Sequence, residues 1–120
     1  MAELMTIKAM REFYGRRYKK IIDALEEIGV EKVTVYTEYG RYLEFSCYPL
    51  KDDKYKHRLW ANIGINNKYN TSYRSEYDWI GSKHHHEYDT QEELARYIRI
   101  IGGVEKEPTY YGYDWRKYSH

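Results

Sequence analysis

A single cysteine, Cys47, stands in this chain of 120 residues, so no disulfide can close within it and a reducing compartment fits best. No apolar run approaches the ~20 residues that a membrane-spanning helix requires. The first residues also lack the apolar centre of a secretion signal. A soluble cytoplasmic protein with no membrane partner is therefore expected. Charge of one sign is lacking too: 20 Lys and Arg against 19 Asp and Glu leave +1, so bulk charge gives no reason to expect nucleic acid. Only local clusters could recruit it. A phosphate-binding glycine loop, a dinucleotide fingerprint and a Ser-His-Asp pattern are all missing. The expectation is a non-enzymatic protein without a cofactor.

Phenylalanine is scarce as well, with two residues, whereas tyrosine occurs sixteen times. A ring that only fills a core can be phenylalanine; a hydroxylated ring is favoured where one end is apolar and the other meets water or a partner. Sixteen such rings exceed what one small domain can bury, so many are expected at the surface. There they suit contact, because each buries much area at low entropic cost. Aliphatic content is modest, and Tyr14, Tyr18, Trp60 and Trp79 are expected to supplement the core.

Periodicity places the elements. Ile7, Met10, Tyr14, Tyr18, Ile21, Leu25 and Ile28 recur at spacings of three and four, which predicts one long amphipathic helix between a Thr6 N-cap and Gly29. Its charges run against the macrodipole, with Arg11, Arg16, Arg17, Lys19 and Lys20 early and Glu26 and Glu27 late. Local rules are often broken at functional sites, so this basic segment is a candidate contact surface; a solvated face with internal ion pairs is the plainer account. A hairpin follows. A three-residue loop, Glu38-Tyr39-Gly40, would pair Val35 with Leu43 and Val33 with Phe45, matching apolar with apolar. A third strand is expected from about Lys56 to Ile65. A polar loop then covers Asn66 to Ser72, with further strand from Tyr73 to Ile80 and Lys83 to Tyr88. A second helix starts at Asp89 or Thr90, buries Leu94, Tyr97, Ile98 and Ile101, and ends at Gly102-Gly103.

The order predicts an α+β fold: a two-layer sandwich in which a three- to four-stranded antiparallel meander carries an N-terminal and a C-terminal helix on one face. Residues 1–103 form this single domain. Residues 104–120 form an aromatic tail, with Tyr111, Tyr113 and Trp115, expected to dock on the domain or a partner. The covered face takes Val33, Val35, Leu43, Phe45, Leu59, Ala61, Ile63 and Ile65. The uncovered face takes Lys32, Thr34, Tyr36, Tyr42, Glu44, Ser46, Tyr48, Arg58, Trp60 and Asn62.

Rings mixed with cations on a bare sheet face suit two partners. One is a protein hot spot, the other a stacking platform for unpaired bases. Tyr36, Tyr42, Tyr48, Arg58 and Trp60 are the candidate binding residues, joined by Arg11, Arg16, Arg17, Lys19, Lys20 and the tail's Tyr111, Tyr113 and Trp115. The near-neutral total charge favours the protein, for instance a nucleic-acid-processing complex, over direct nucleic-acid binding. A second copy of the chain is a further candidate occupant. A compact, cysteine-poor, aromatic domain without a catalytic set is similar in style to small accessory proteins of phages and other mobile elements, including inhibitors of host defence nucleases.

Three short patterns could carry other chemistry. His84 and His86 fall on one face of a strand and precede a helix bearing Tyr97. This resembles the His-hydrophobic-His single-strand nicking endonucleases, in which two histidines hold a metal and a helical tyrosine attacks DNA. His85 stands where that pattern has an apolar residue, and Tyr97 follows unusually closely. Two imidazoles also fall short of the three or four ligands of a zinc site. Asp52-Asp53-Lys54 contains the acid-x-Lys step of restriction-type nucleases, yet lies in an expected turn. Cys47 points to the apolar side and reads as an inert core thiol.

Overall fold

In the computed structural model, residues 2–36, 41–64, 66, 68–76 and 84–106 are described. Six antiparallel strands lie in chain order across one sheet: β1 Ala2–Thr6, β2 Lys32–Tyr36, β3 Arg41–Cys47, β4 His57–Gly64, β5 Tyr69–Ser75 and β6 His84–Tyr88. Three helices, α1 Ile7–Tyr14, α2 Lys19–Glu27 and α3 Gln91–Ile101, close a single core on one face. The α+β class and the helix-covered face are as expected, but the sheet is wider. Among the described residues no helix is long and apolar enough to cross a membrane.

The first strand was not anticipated, because only Met5 of its residues is buried. Met5 pairs with Val33, and Thr6 ends the strand while also capping α1, its Oγ1 accepting the Ala9 N–H at 3.1 Å. The long helix is also corrected: it is two. The apolar stripe continues across the break, with Met10, Tyr18, Ile21 and Leu25 all buried, so periodicity alone could not reveal it. A break frees backbone groups that need partners. Gln91 of α3 supplies them, its Oε1 accepting the N–H groups of Lys20 (2.9 Å) and Ile21 (3.3 Å) while its Nε2 donates to the Arg17 carbonyl (2.9 Å).

In the hairpin, Val35 opposes Phe45 and Tyr36 opposes Glu44, two positions away from the expected register. An even shift keeps every side chain on its face. Val33, Val35, Leu43, Phe45, Leu59, Ala61 and Ile63 are thus all buried beneath the helices, although their cross-strand partners differ. The expected loop and Ile65 lie outside the described residues. The expected polar loop Asn66–Ser72 is a larger correction, since Tyr69 to Ser72 open β5. Its inward residues are Tyr69, Thr71 and Tyr73, whose hydroxyls hide the alternation from a hydropathy reading.

The helices α2 and α3 lie side by side in the same direction: Gln91 meets the start of α2, and Gly102 meets Ile28 at its end. Between them pack Ile21, Ile22, Ala24 and Leu25 with Leu94, Ala95 and Ile98, none more than 1% exposed. Burying each of the larger side chains contributes about 1.5–3 kcal/mol. Both helices end in the same way, with Gly29 (φ +84°) and Gly103 (φ +82°) in the left-handed region and paired backbone bonds such as Val30 N–H to Leu25 carbonyl.

A Cβ on Gly102 would stand 2.3 Å from Ile28 Cγ2 and 2.6 Å from Ile28 Cβ, a contact that no rotamer change relieves. Gly102→Ala should therefore destabilise the fold by about 1–3 kcal/mol, as overpacking does, read from the denaturant midpoint. A variant as stable as the parent would mean that the two helices part freely.

Candidate protein-binding face

On the far side of the sheet stand Tyr36, Glu44, Ser46, Arg58, Trp60 and Asn62, as alternation requires, and no described helix or strand lies over them. The rings are fixed. Tyr36 and Trp60 stack with centroids 4.7 Å apart and planes 19° apart. Trp60 Nε1 donates to Glu44 Oε2 at 2.6 Å. Arg58 Nη2 donates to the Tyr36 hydroxyl at 2.9 Å and to Ser46 Oγ at 2.8 Å. The Arg58 guanidinium also lies 5.1 Å from the Trp60 ring centre and 5.8 Å from that of Tyr48, within cation–π range. The Tyr48 hydroxyl in turn donates to Glu76, whose carboxylate raises the Tyr48 pKa above its ordinary value. Glu44 and Ser46 are buried at the floor of this network. Polar groups are tolerated there because each has a partner.

The register adds residues missing from the candidate set, one from the end of the expected loop and the others from the strand expected after it. Ser72 stands opposite Trp60, and Arg74 opposite Arg58. With Glu76 they line an open depression of about 550 Å³. The outward set Asn70, Ser72 and Arg74, alternating with Thr71 and Tyr73, was the signal that could have revealed them.

Two expectations about the site change. Trp60 belongs to the outer face and not to the helix-side core; Tyr18 is buried in that core and Tyr14 packs at its margin. Tyr42 leaves the face altogether. A register irregularity between Arg41 and Leu43 turns it toward the α1–α2 turn, where the Arg17 guanidinium sits 4.0 Å from its ring centre. There it lines a separate depression of about 290 Å³ with Phe13, Arg16 and Arg17. The basic segment therefore lies on the helix layer, across the sheet from Tyr36 and Trp60. Three of its cations have internal partners: Arg11 with Asp23 and Glu26, Lys19 with Asp23, and Lys20 with Glu92. Tyr111, Tyr113, Trp115 and Trp79 fall outside the described residues.

Of the other motifs, the His84 side chain lies outside the described residues. His86 on β6 stacks on Tyr88 and lies 4.9 Å from the ring of Tyr97, which is only 3% exposed. A nucleophilic tyrosine must reach its substrate, and this one is packed. Among the described residues no three His, Cys, Asp or Glu side chains converge as a metal would require. Burial pushes the Cys47 thiol up to about 12, so it is un-ionised at neutral pH. Asp53 holds the turn into β4, accepting the N–H groups of Tyr55 and His57, each at 3.0 Å, and lying 2.6 Å from His57 Nδ1. Comparison with protein-family models, curated proteins and solved structures finds no match.

The His57 backbone N–H, more than any other group, holds the Asp53 carboxyl below its ordinary 3.8. The Lys19 ammonium and then the Arg11 guanidinium do the same for Asp23. A carboxyl depressed on folding stabilises the fold above its unfolded pKa, and that stabilisation is lost as pH falls through the folded value. Asp53→Asn should lower stability at about pH 7 and shrink the further loss between about pH 5 and pH 2. Urea unfolding at the two ends of that range checks it; an unchanged acid loss would remove Asp53 from the account.

Proposed function

We propose that this chain is a small non-enzymatic binding protein whose outer sheet face, centred on Tyr36, Trp60 and Arg58, engages a protein partner. One observation carries the reading: the rings are locked by stacking and hydrogen bonds before any partner arrives. Rings ordered in advance spare the entropy that association otherwise costs. Aromatic and arginine side chains of this kind dominate protein hot spots.

Charge supports a protein over a nucleic-acid strand. Glu44 and Glu76 stand near the same rings, and Glu87 aligns with them through Asn70. A phosphate backbone needs a continuous basic track, whereas the basic segment sits on the opposite layer. The stylistic likeness to inhibitors of host defence nucleases makes a nucleic-acid-processing complex the first partner class to try.

Capture from nuclease-treated lysate of the native cell tests the reading. Tyr36→Ala combined with Trp60→Ala should weaken capture by at least about 30-fold, as the loss of a hot-spot pair does, with the far-ultraviolet circular dichroism unchanged. Tyr42→Ala, on the helix side, should leave capture intact. Capture that survives the double substitution overturns the proposal. So does binding that vanishes with nuclease and falls linearly with log salt, the behaviour of phosphate contacts.

A further inference from the structure

We infer that the depression beside Trp60 receives a carboxylate side chain of the protein partner, clamped between Arg58 and Arg74. The inference rests on the binding-face reading above and specifies the chemistry of what is bound.

The starting observation is a violation of sheet chemistry. Arg58 and Arg74 are directly opposed across β4 and β5, on one face, and like charges so placed are destabilising. Neither forms a salt bridge among the described residues, although the Glu76 carboxylate borders the same depression. Both hydrogen bonds of Arg58 end on neutral hydroxyls, those of Tyr36 and Ser46. Its Nε is buried without an acceptor. Arg74 is exposed and makes no hydrogen bond or ion pair among the described residues. The nearby carboxylates keep their charge but are held by neutral donors, Glu76 by the Tyr48 hydroxyl and Glu44 by the Trp60 indole.

Geometry supplies the rest. The two arginines border a depression of about 550 Å³ with Ser72 and Trp60, and Ser72 is too small to cover the indole facing it. A guanidinium presents five N–H donors in a plane, matched to the two oxygens of a carboxylate. An acidic side chain entering here would neutralise the opposed pair while its methylene stem lies along Trp60. A nucleic-acid backbone is the poorer occupant. It brings successive charges past Glu76 and Glu87, while two arginines are the cations that line the depression.

The test uses the full chain and a capped Gly-Gly-Glu-Gly-Gly peptide as probe, followed by the Trp60 indole N–H resonance in low salt. The peptide should move that resonance, and Arg74→Gln should weaken its binding at least tenfold. Arg74→Lys, which keeps the charge but not the fork, should fall between. Without probe, Arg74→Gln should raise the thermal midpoint, since the repulsion is gone; a merely structural arginine would lower it. An unmoved indole resonance, or equal probe binding by Arg74→Gln, overturns the inference. So does tighter binding of an oligothymidine that shifts the same resonance. If Arg74→Gln still captures the cellular partner while the Tyr36 and Trp60 substitutions abolish capture, the clamp is wrong and the binding-face reading stands. If those ring substitutions also leave capture intact, the reading itself fails.

Discussion

The parallel packing of α2 against α3 is the constraint from which the rest of the molecule follows. Two helices pointing the same way bring like dipole ends together, an arrangement their own termini resist. The charges of α2 make sense only in that light. Lys20, unfavourable at its own N-terminus, meets Glu92 at the start of α3, and Glu27, unfavourable at its own C-terminus, meets Arg99 at the end. Such exposed pairs contribute only about 0–1 kcal/mol each, so they select the alignment and do not hold it. What holds it is the burial of Ile21, Leu25, Leu94 and Ile98, which Gly102 permits by letting the helix ends touch.

Because that helix layer sits on one side of the sheet, the tyrosines divide. Tyr18 and Tyr97 are buried on the helix side, and Tyr14, Tyr69, Tyr73 and Tyr88 pack at the core's margin. They fill the region under α3 where β5 and β6 bring few aliphatic residues. Tyr36 and Tyr48 stand on the other side, and their hydroxyls have specific work: one accepts from Arg58, the other donates to Glu76. Phenylalanine could replace Tyr18 with little loss, since its buried hydroxyl makes no hydrogen bond among the described residues. In place of Tyr36 it would release Arg58 from the ring it steadies. The described tyrosines thus serve packing on one side of the sheet and a hydrogen-bonded network on the other.

Much of this was legible in the sequence, and the failures have physical causes. Alternation assigned the faces of Val33, Val35, Leu43, Phe45, Leu59, Ala61 and Ile63 correctly, because burial of one face fixes parity. It could not fix the register, since both pairings of the hairpin match apolar with apolar. The break in the first helix was hidden because the stripe runs through it, and the glutamine that repairs it lies some seventy positions away. The first half of the strand Tyr69–Ser75 was invisible to hydropathy, so its pairing with β4 was too, and Ser72, Arg74 and Glu76 were missing from the candidate site. Tyr42 was lost to a one-residue irregularity that no composition rule marks.

Two local rules are broken in this chain, and they have different endings. The backward charges of α2 invited a functional reading, yet their compensation lies inside the fold, in α3. The opposed Arg58 and Arg74 break the corresponding rule for strands, and among the described residues the hydrogen bonds of Arg58 end on neutral hydroxyls and Arg74 makes none. Proteins tolerate such violations at functional sites and offset them elsewhere in the fold. The helix charges thus belong to the architecture, and the arginine pair beside Trp60 is where the proposed partner would bind.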